Sequence, residues 1–463
     1  MNLARHSISA TEPLVLYDVR FDSDCQIFTA SSPEGFAVYR VLPLDLLKKR
    51  EVSGGILSSV VPMHCSSILF LVGGGRDPRY PPNKVIFWNE ALGKEVAELE
   101  FREKVRGLAC RRGWLAVALR RRVVAFEIGD SIKRYGEWDT YENTRGVIAI
   151  ATGAYSTLLA APARQPGHVQ LIHLPPCPPP VPVGPPPSIP PRQPPPATKH
   201  PHSVIVAHNT AITTLAVTPS GRLLATTSVR GTLIRVWDTA TGKQVRELRR
   251  GSDQAEIYGV AFRPDEAEIC VWSDKGTIHV FSLAAGAGLS NRQSKLSSLT
   301  SFIPIPKYFE SEWSYARFRI PTQSAHISLT QQAAARDANP DLAEEEKCTV
   351  GWIEAPTIPQ TTAPAPSPAT DYQLIALTYT GGWYRLALPN KKPSSVPAGS
   401  AQTNITSSGS VRSGTARPPS VSSVAGGGRA DKGKGVSRDS DRKEGRDCTL
   451  LEFRRFGSWD GWG

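Results

Sequence analysis

The chain has 463 residues, with 54 Lys and Arg against 42 Asp and Glu, a formal net charge of +12. This balance favours anionic partners: nucleic acid, an anionic membrane or phosphorylated ligands. The seven cysteines are scattered without a CxxC pair, so neither a zinc site nor a disulfide framework is predicted. The polar first residues predict no signal peptide, and without a run of about 18 apolar residues no transmembrane span is expected.

Short β-rich segments separated by turn residues follow one another along the chain. Early examples are 14–19, 26–30 and 35–39, and later ones are 114–119 and 122–126. Helical periodicity is scarce. Many short strands at this spacing predict a sandwich, a barrel or a propeller.

Three segments are predicted to lie outside the folded body. Residues 175–201 contain 15 of the 40 prolines and favour an extended polyproline loop. Residues 389–446 are rich in Ser and Gly and poor in large apolar residues, which predicts disorder before a closing strand. A flexible insert is also predicted over 331–370, around an acidic run.

A repeat decides among the β folds. Residues 212–238 contain a strand, a second strand ending in Ser, a tight turn, Gly-Thr and a third strand, and residues 257–281 repeat this pattern. The offset of about 45 residues is typical of WD-type propeller blades with four strands each. We therefore expect an all-β, seven-bladed propeller forming one domain over 11–457. The expected blades are 11–50, 54–100, 103–139, 143–206, 208–248, 255–320, and 325–388 completed by 447–457.

Leu248-Arg249-Arg250-Gly251 lies between the two clearest repeats. Successive residues of an extended chain face opposite sides, so the arginines can serve two neighbouring pockets. A guanidinium group forks onto phosphate oxygens, and each repeat adds hydroxyl groups and a further basic residue. Taken singly, each of these residues is common in β-hairpins and needs no binding role. The doubled pattern around the arginine pair predicts two phosphate-binding sites.

These motifs resemble the PROPPIN family, β-propellers that bind polyphosphoinositides and include the WIPI proteins. The family signature is Phe/Leu-Arg-Arg-Gly, matched here by 248–251; segments 231–239, 273–281 and 307–314 are also similar. Val72-Gly73-Gly74-Gly75 resembles the fungal SVP1-like branch. A later Phe453-Arg454-Arg455 lacks the following glycine and the flanking units, so it is not counted as a second signature.

The resemblance implies binding of phosphatidylinositol 3-phosphate and phosphatidylinositol 3,5-bisphosphate at two sites, with no metal and no cofactor. Its implied site one contains Thr226, Ser228, Thr232, Arg235 and Arg249, with His208 as a further cationic donor. Its implied site two contains Arg250, Ser273, Lys275, Thr277 and His279. The turn glycines Gly231 and Gly251 complete the lipid-binding set.

Residues 283–305 form the candidate membrane-contact loop of blade six. In the family this loop dips into the bilayer, and here its candidate insertion residues are Leu296, Leu299, Phe302 and Ile303. A plain connecting loop packed on its own blade is the alternative. Two head-group sites and a shallow insertion would together raise avidity for a membrane surface.

The functional expectation is a non-enzymatic recruitment scaffold in autophagy, including microautophagy of the nucleus. It would be cytoplasmic and peripheral on vacuolar, endosomal and pre-autophagosomal membranes. The resemblance implies an Atg2-type lipid-transfer partner on blades two and three, with residues 76–83 as a candidate surface. The alternative is a WD-repeat scaffold that binds acidic peptides without lipid specificity. Nucleic-acid binding and catalysis are not expected, since no reader motif, nucleophile elbow, P-loop or HExxH occurs.

Overall fold

The structure is a computed structural model that describes residues 15–64, 66–179, 203–284, 291, 311–321, 347–356, 370–389 and 447–457. Within these ranges the secondary structure consists of 29 strands in seven sheets, which confirms the seven-bladed all-β propeller. No helix in this part of the chain is long and apolar enough to cross a membrane.

Each sheet is a blade whose strands run outward from the propeller axis in chain order. Blade one contains β1 (Asp18–Phe21), β2 (Ile27–Ser32), β3 (Gly35–Arg40) and β4 (Asp45–Glu51). Blade two contains β5 (Leu57–Pro62), β6 (Ile68–Gly73), β7 (Lys84–Asn89) and β8 (Lys94–Glu100). Blade three contains β9 (Gly107–Arg111), β10 (Trp114–Ala118), β11 (Arg122–Ile128) and β12 (Ile132–Asp139). Blade four contains β13 (Ala149–Ile150), β14 (Leu158–Pro162), β15 (His168–His173) and β16 (Val204–Val206).

The last three blades include strands that return from long connections. Blade five contains β17 (Ile212–Val217), β18 (Leu223–Ser228), β19 (Leu233–Asp238), β20 (Gln244–Arg249) and, as a fifth strand, β24 (Glu312–Trp313). Blade six contains β21 (Ile257–Phe262), β22 (Glu268–Ser273), β23 (Thr277–Ser282) and β25 (Ala316–Arg319). Blade seven contains β26 (Cys348–Pro356), β27 (Thr370–Thr378), β28 (Gly382–Ala387) and β29 (Thr449–Arg455).

Apolar clusters fill the space between every pair of adjacent blades. Middle strands are buried on both faces because each blade packs against two neighbours; all six residues of β22 are buried, for example, whereas the outer β4 is largely exposed. One cluster joins blade seven to blade one, where the Trp383 indole donates a hydrogen bond to the Val41 carbonyl at 3.2 Å. The first strands surround a central cavity of about 930 Å³.

Two details of the sequence-based blade assignment need correction. The middle of the insert expected over 331–370 is a regular strand, since Cys348–Pro356 forms β26. It is a strand because Val350 and Trp352 are buried between blades six and seven. Glu312–Trp313, which the expected span 255–320 places in blade six, pairs instead with β20 of blade five. β29 pairs with β28 and completes blade seven, as the returning last strand was expected to do.

Most of the expected inserts lie outside the described residues. This applies to 180–201 of the Pro-rich segment, to 331–346 and 357–369 of the third insert, and to 390–446 of the Ser/Gly-rich segment. All four candidate insertion residues, Leu296, Leu299, Phe302 and Ile303, also lie outside them. The membrane-contact loop therefore stays a prediction.

Candidate functional site

The arginine pair ends the fourth strand of blade five. Leu248 is fully buried in the cluster between blades five and six, together with Ile234 and Val236 of β19. Because side chains alternate along a strand, Arg249 lies on the opposite face, which turns towards blade four. The next residue, Arg250, lies just beyond the strand and has a different set of neighbours. The two guanidinium groups are thus directed to different sides of blade five.

Arg249 is almost completely buried, with 7% of its surface exposed. Its Nε donates a hydrogen bond to the Ser311 hydroxyl at 3.0 Å, and its guanidinium carbon lies 6.0 Å from the centre of the Trp313 ring. Both partners belong to the segment that contains β24. On the same face of blade five, Arg235 donates to Glu247 at 3.0 Å and to the Ala207 carbonyl at 2.7 Å. The two arginines implied for site one therefore share a face, and both are already held by neighbours.

Thr226 and His208 form a buried network behind Arg235. The Thr226 hydroxyl accepts a hydrogen bond from the Trp237 indole at 3.0 Å, and it lies 2.9 Å from Nε2 of His208. Burial, with a smaller contribution from the Arg235 charge, lowers the pKa of His208 to about 4. The ring is consequently neutral near pH 7. His208 does not fit the cationic role expected for it. Its position instead allows it to hold the Thr226 hydroxyl, which also accepts the Trp237 hydrogen bond.

Arg250 is held by backbone carbonyls. Its Nε donates to Gly231 at 2.9 Å, its Nη2 donates to Asp253, and its own amide donates to Thr232 at 2.9 Å. Burial lowers its pKa from the ordinary value, and the Asp274 and Asp253 carboxylates oppose that effect. No ion pair to Arg250 occurs within the described part of the chain. A buried cation whose hydrogen bonds within the described residues go to carbonyl groups, and not to a carboxylate, is well suited to receive an anionic ligand.

Gly231 makes the approach of Arg250 possible. Its φ of 60° lies in the left-handed region, and a Cβ there would overlap the carbonyl oxygen of Ala255. Only glycine fits this turn without displacing the chain that leads from blade five to blade six. The conformation exposes the Gly231 carbonyl to the Arg250 Nε.

The second turn-and-strand unit, in blade six, is arranged in the same way. Ser273 is buried and its hydroxyl accepts the Lys275 amide at 3.4 Å, while the Lys275 ammonium group is exposed and lies 3.3 Å from Asp274. Phe281 packs in the cluster between blades five and six, so alternation places Thr277 and His279 on the face of β23 that turns towards blade five. Thr277 also donates to the Lys275 carbonyl at 3.4 Å.

Not all expected residues lie beside the arginines. Ser228 lines a cavity of about 450 Å³ near the strand ends, together with Arg145, Glu256 and Asp274. Thr232 and Gly251 are half-buried; the Thr232 carbonyl accepts the Arg250 amide, and Gly251 follows Arg250 in the chain. The structure thus groups Thr226, Arg235, Arg249 and His208 on one side of blade five and places Arg250, Ser273, Thr277 and His279 towards the other.

Comparison with known proteins agrees with this architecture. A family model described as PROPPIN matches residues 198–354, the part that carries the arginine pair. SVP1-like protein 2 of Pichia angusta is 32% identical over 329 residues, which cover 70% of this chain and 85% of that protein. The chain belongs to the PROPPIN family.

Two further PROPPIN comparisons place the chain among related proteins. Autophagy-related protein 18e of Arabidopsis thaliana is 29% identical over 323 residues, covering 69% of this chain and 79% of that protein. The crystal structure of Hsv2 from Kluyvelomyces marxianus superposes with a TM-score of 0.56 and 20% identity, covering 81% of this chain and 93% of that one. At this identity the superposition supports the propeller fold alone.

Sequence reasoning missed three residues beside the PROPPIN motif. Ser311, Trp313 and Ser314 contact the arginine site or His279, and no role was assigned to them. Segment 307–314 resembles the family, so the sequence does contain a signal at these positions. What the sequence lacked was any indication that a strand following a long connection would pair with the preceding blade.

Proposed function

We propose that this PROPPIN is a peripheral membrane protein that binds phosphatidylinositol 3-phosphate and phosphatidylinositol 3,5-bisphosphate through two sites on blades five and six. The observation that carries the proposal is the placement of Arg249 and Arg250 on different sides of blade five, each more than nine-tenths buried. Guanidinium groups bind phosphate oxygens with two parallel hydrogen bonds, and the surrounding low dielectric strengthens such contacts.

Site one would use Arg249 as its main phosphate ligand, with Arg235 able to exchange Glu247 for the lipid. Thr226 and His208 are buried beneath these arginines and would act as supports. Site two would use Arg250 with Thr277, His279 and Lys275, the last of which is exposed and able to reach a membrane-facing phosphate. Family membership supports binding rather than catalysis as the activity.

The names of the relatives support a proposal for the cellular role. One of them is named an autophagy-related protein, so we propose a recruiting role in autophagy on vacuolar, endosomal or pre-autophagosomal membranes. An Atg2-type protein is the proposed partner on blades two and three. There, the loop 76–83 is tied to the blade by the Arg79 amide, which donates to the Ile56 carbonyl at 3.1 Å. Arg79 also lies over the Tyr80 ring at 5.5 Å.

Liposome co-sedimentation tests the lipid assignment. Vesicles would contain phosphatidylinositol 3-phosphate, the 3,5-bisphosphate, the 4,5-bisphosphate, or phosphatidylserine matched for charge. Because hydrogen bonds to charged groups contribute about 1.5 to 3 kcal/mol each, replacing Arg249 and Arg250 with alanine should lower affinity for the 3-phosphorylated lipids by at least about tenfold.

A matched control exists on blade seven. Arg454 and Arg455 lie on the exposed outer strand β29, so the double change Arg454→Ala/Arg455→Ala removes the same charge far along the chain from the motif. It should bind the 3-phosphorylated lipids like the wild type. Equal losses in both double variants, or binding that follows vesicle charge alone, would refute head-group recognition and favour the scaffold alternative.

A further inference from the structure

A short segment after the long blade-six connection crosses the outer edge of blade five. Residues 311–314, here called the rim strap, contain β24, which runs parallel to β20 and pairs Glu312 with Leu248 and Trp313 with Arg249. The chain then continues directly into β25, the outer strand of blade six. The rim strap therefore spans the two blades that carry the proposed head-group sites.

At its first residue the rim strap holds the arginine of site one. Ser311 is 1% exposed, and its hydroxyl accepts the hydrogen bond of Arg249 Nε at 3.0 Å. The Trp313 ring lies against the guanidinium group, 6.0 Å from centroid to carbon. Since a long arginine side chain has several rotatable bonds, these contacts select one direction for a group that would otherwise sample many.

At its last residue the rim strap holds the histidine of site two. The Ser314 hydroxyl, which is also buried, lies 3.1 Å from Nδ1 of His279. The bond at one ring nitrogen determines how the imidazole is oriented and which tautomer it adopts. Ser314 is thus placed to orient His279 as Ser311 orients Arg249.

The middle of the rim strap is anchored separately. The Glu312 carboxylate accepts a hydrogen bond from Asn291 and lies 3.6 Å from Arg246 of β20. Asn291 also contacts Ser282, the last residue of β23. Its side chain accepts a hydrogen bond from the Ser282 amide at 2.8 Å and donates one to the Ser282 carbonyl at 2.7 Å. Glu312 therefore ties the strap to both blades, while the two serines act on the two sites.

We propose that Ser311 and Ser314 are positioning residues for phosphoinositide head groups: Ser311 orients Arg249 in site one and Ser314 orients His279 in site two. This inference rests on the proposed function. It states that one short segment, the rim strap, aligns a ligand-binding side chain in each of the two sites. The chain that forms the strap follows the candidate membrane-contact loop, so the same backbone joins the loop to both sites.

A crossed experiment in single-site backgrounds tests the proposal. Arg250→Ala disables site two, so the remaining binding is that of site one. Arg249→Ala disables site one, so the remaining binding is that of site two. Binding of the soluble head group inositol 1,3-bisphosphate would be measured by calorimetry. Ser311→Ala should weaken binding about tenfold when only site one remains and leave it within about twofold when only site two remains. Ser314→Ala should show the reverse pattern.

The crossed pattern separates positioning from general stability of the rim strap. If either serine variant lowers binding equally in both backgrounds, or in neither, the positioning role is wrong. Ser314→Thr keeps the hydroxyl and should retain most of the site-two affinity that Ser314→Ala loses. A wild-type chain that binds no head group would refute the proposed function itself, whereas normal wild-type binding without the crossed pattern would refute only this inference.

Discussion

Replacing Gly231 with alanine should destabilise the propeller and disable Arg250. The glycine has a φ of 60°, and the new Cβ would overlap the Ala255 carbonyl oxygen. To relieve the overlap, the chain between Arg250 and blade six must move. That chain includes Asp253, whose carbonyl holds the Arg250 guanidinium group, while Gly231 itself supplies the other carbonyl.

The equivalent turn of blade six supplies a matched control. Gly276 has a φ of 63°, and a Cβ there would meet no atom within 4 Å. Gly276→Ala should therefore lose only about 1 to 2 kcal/mol for left-handed backbone in a non-glycine residue. Gly231→Ala adds an overpacking penalty of about 1 to 3 kcal/mol, so its total should be about 2 to 5 kcal/mol.

Urea unfolding of the two variants measures this difference. The midpoint should fall for both and fall further for Gly231→Ala, with unchanged slopes if the transition stays two-state. Head-group binding in an Arg249→Ala background should also fall for Gly231→Ala because both carbonyl anchors of Arg250 shift. Equal free energies of unfolding for the two alanine variants would show that the contact with Ala255 does not constrain this turn.

Two further predictions concern the network behind Arg235. Thr226→Val keeps the side-chain shape but removes the hydroxyl that hydrogen-bonds Trp237 and His208. The free energy of unfolding should therefore fall by about 2 to 4 kcal/mol. The control Thr213→Val, at a half-buried position, should lower the free energy of unfolding clearly less. The pKa of His208 is about 4 in the fold and 6.5 in a model peptide. As the pH falls, the unfolded chain therefore takes up a proton at His208 before the folded protein does, which favours unfolding. Stability should be fully present above pH 6.5 and fall by up to about 3 kcal/mol as the pH drops towards 4. His208→Gln should flatten that part of the pH profile, and an unchanged profile would contradict the buried neutral ring.

Strand alternation was enough to predict how the arginine pair is arranged. Leu248 is apolar and packs in the cluster between blades five and six, so alternation directs Arg249 to the face that turns towards blade four and leaves Arg250 at the junction with blade six. The Gly-Thr turns were equally readable, because Gly231 and Gly276 have the left-handed conformation that glycine favours. Local patterns of this kind survive in the fold because they arise from backbone geometry.

The ionisation and availability of the site residues could not be read in this way. His208 looked like a cation but is neutral, because burial in the fold removes the water that would solvate its charge. Arg235 looked available but is paired with Glu247, twelve residues away, through the register of β19 and β20. Both depend on neighbours that only the assembled blade brings together.

By itself the sequence determined the all-β class, the seven-fold repeat, the family and the Arg249–Arg250 pair, because these rest on strand periodicity and on residues close together in the chain. Only the tertiary structure decided that Cys348–Pro356 is the innermost strand of blade seven and that Glu312–Trp313 pairs with blade five. Hydrogen bonds between β20 and β24 join residues more than sixty positions apart, with three strands of blade six between them, so no pattern of neighbouring residues could specify this pairing. The serines that hold Arg249 and His279 owe their position to that pairing.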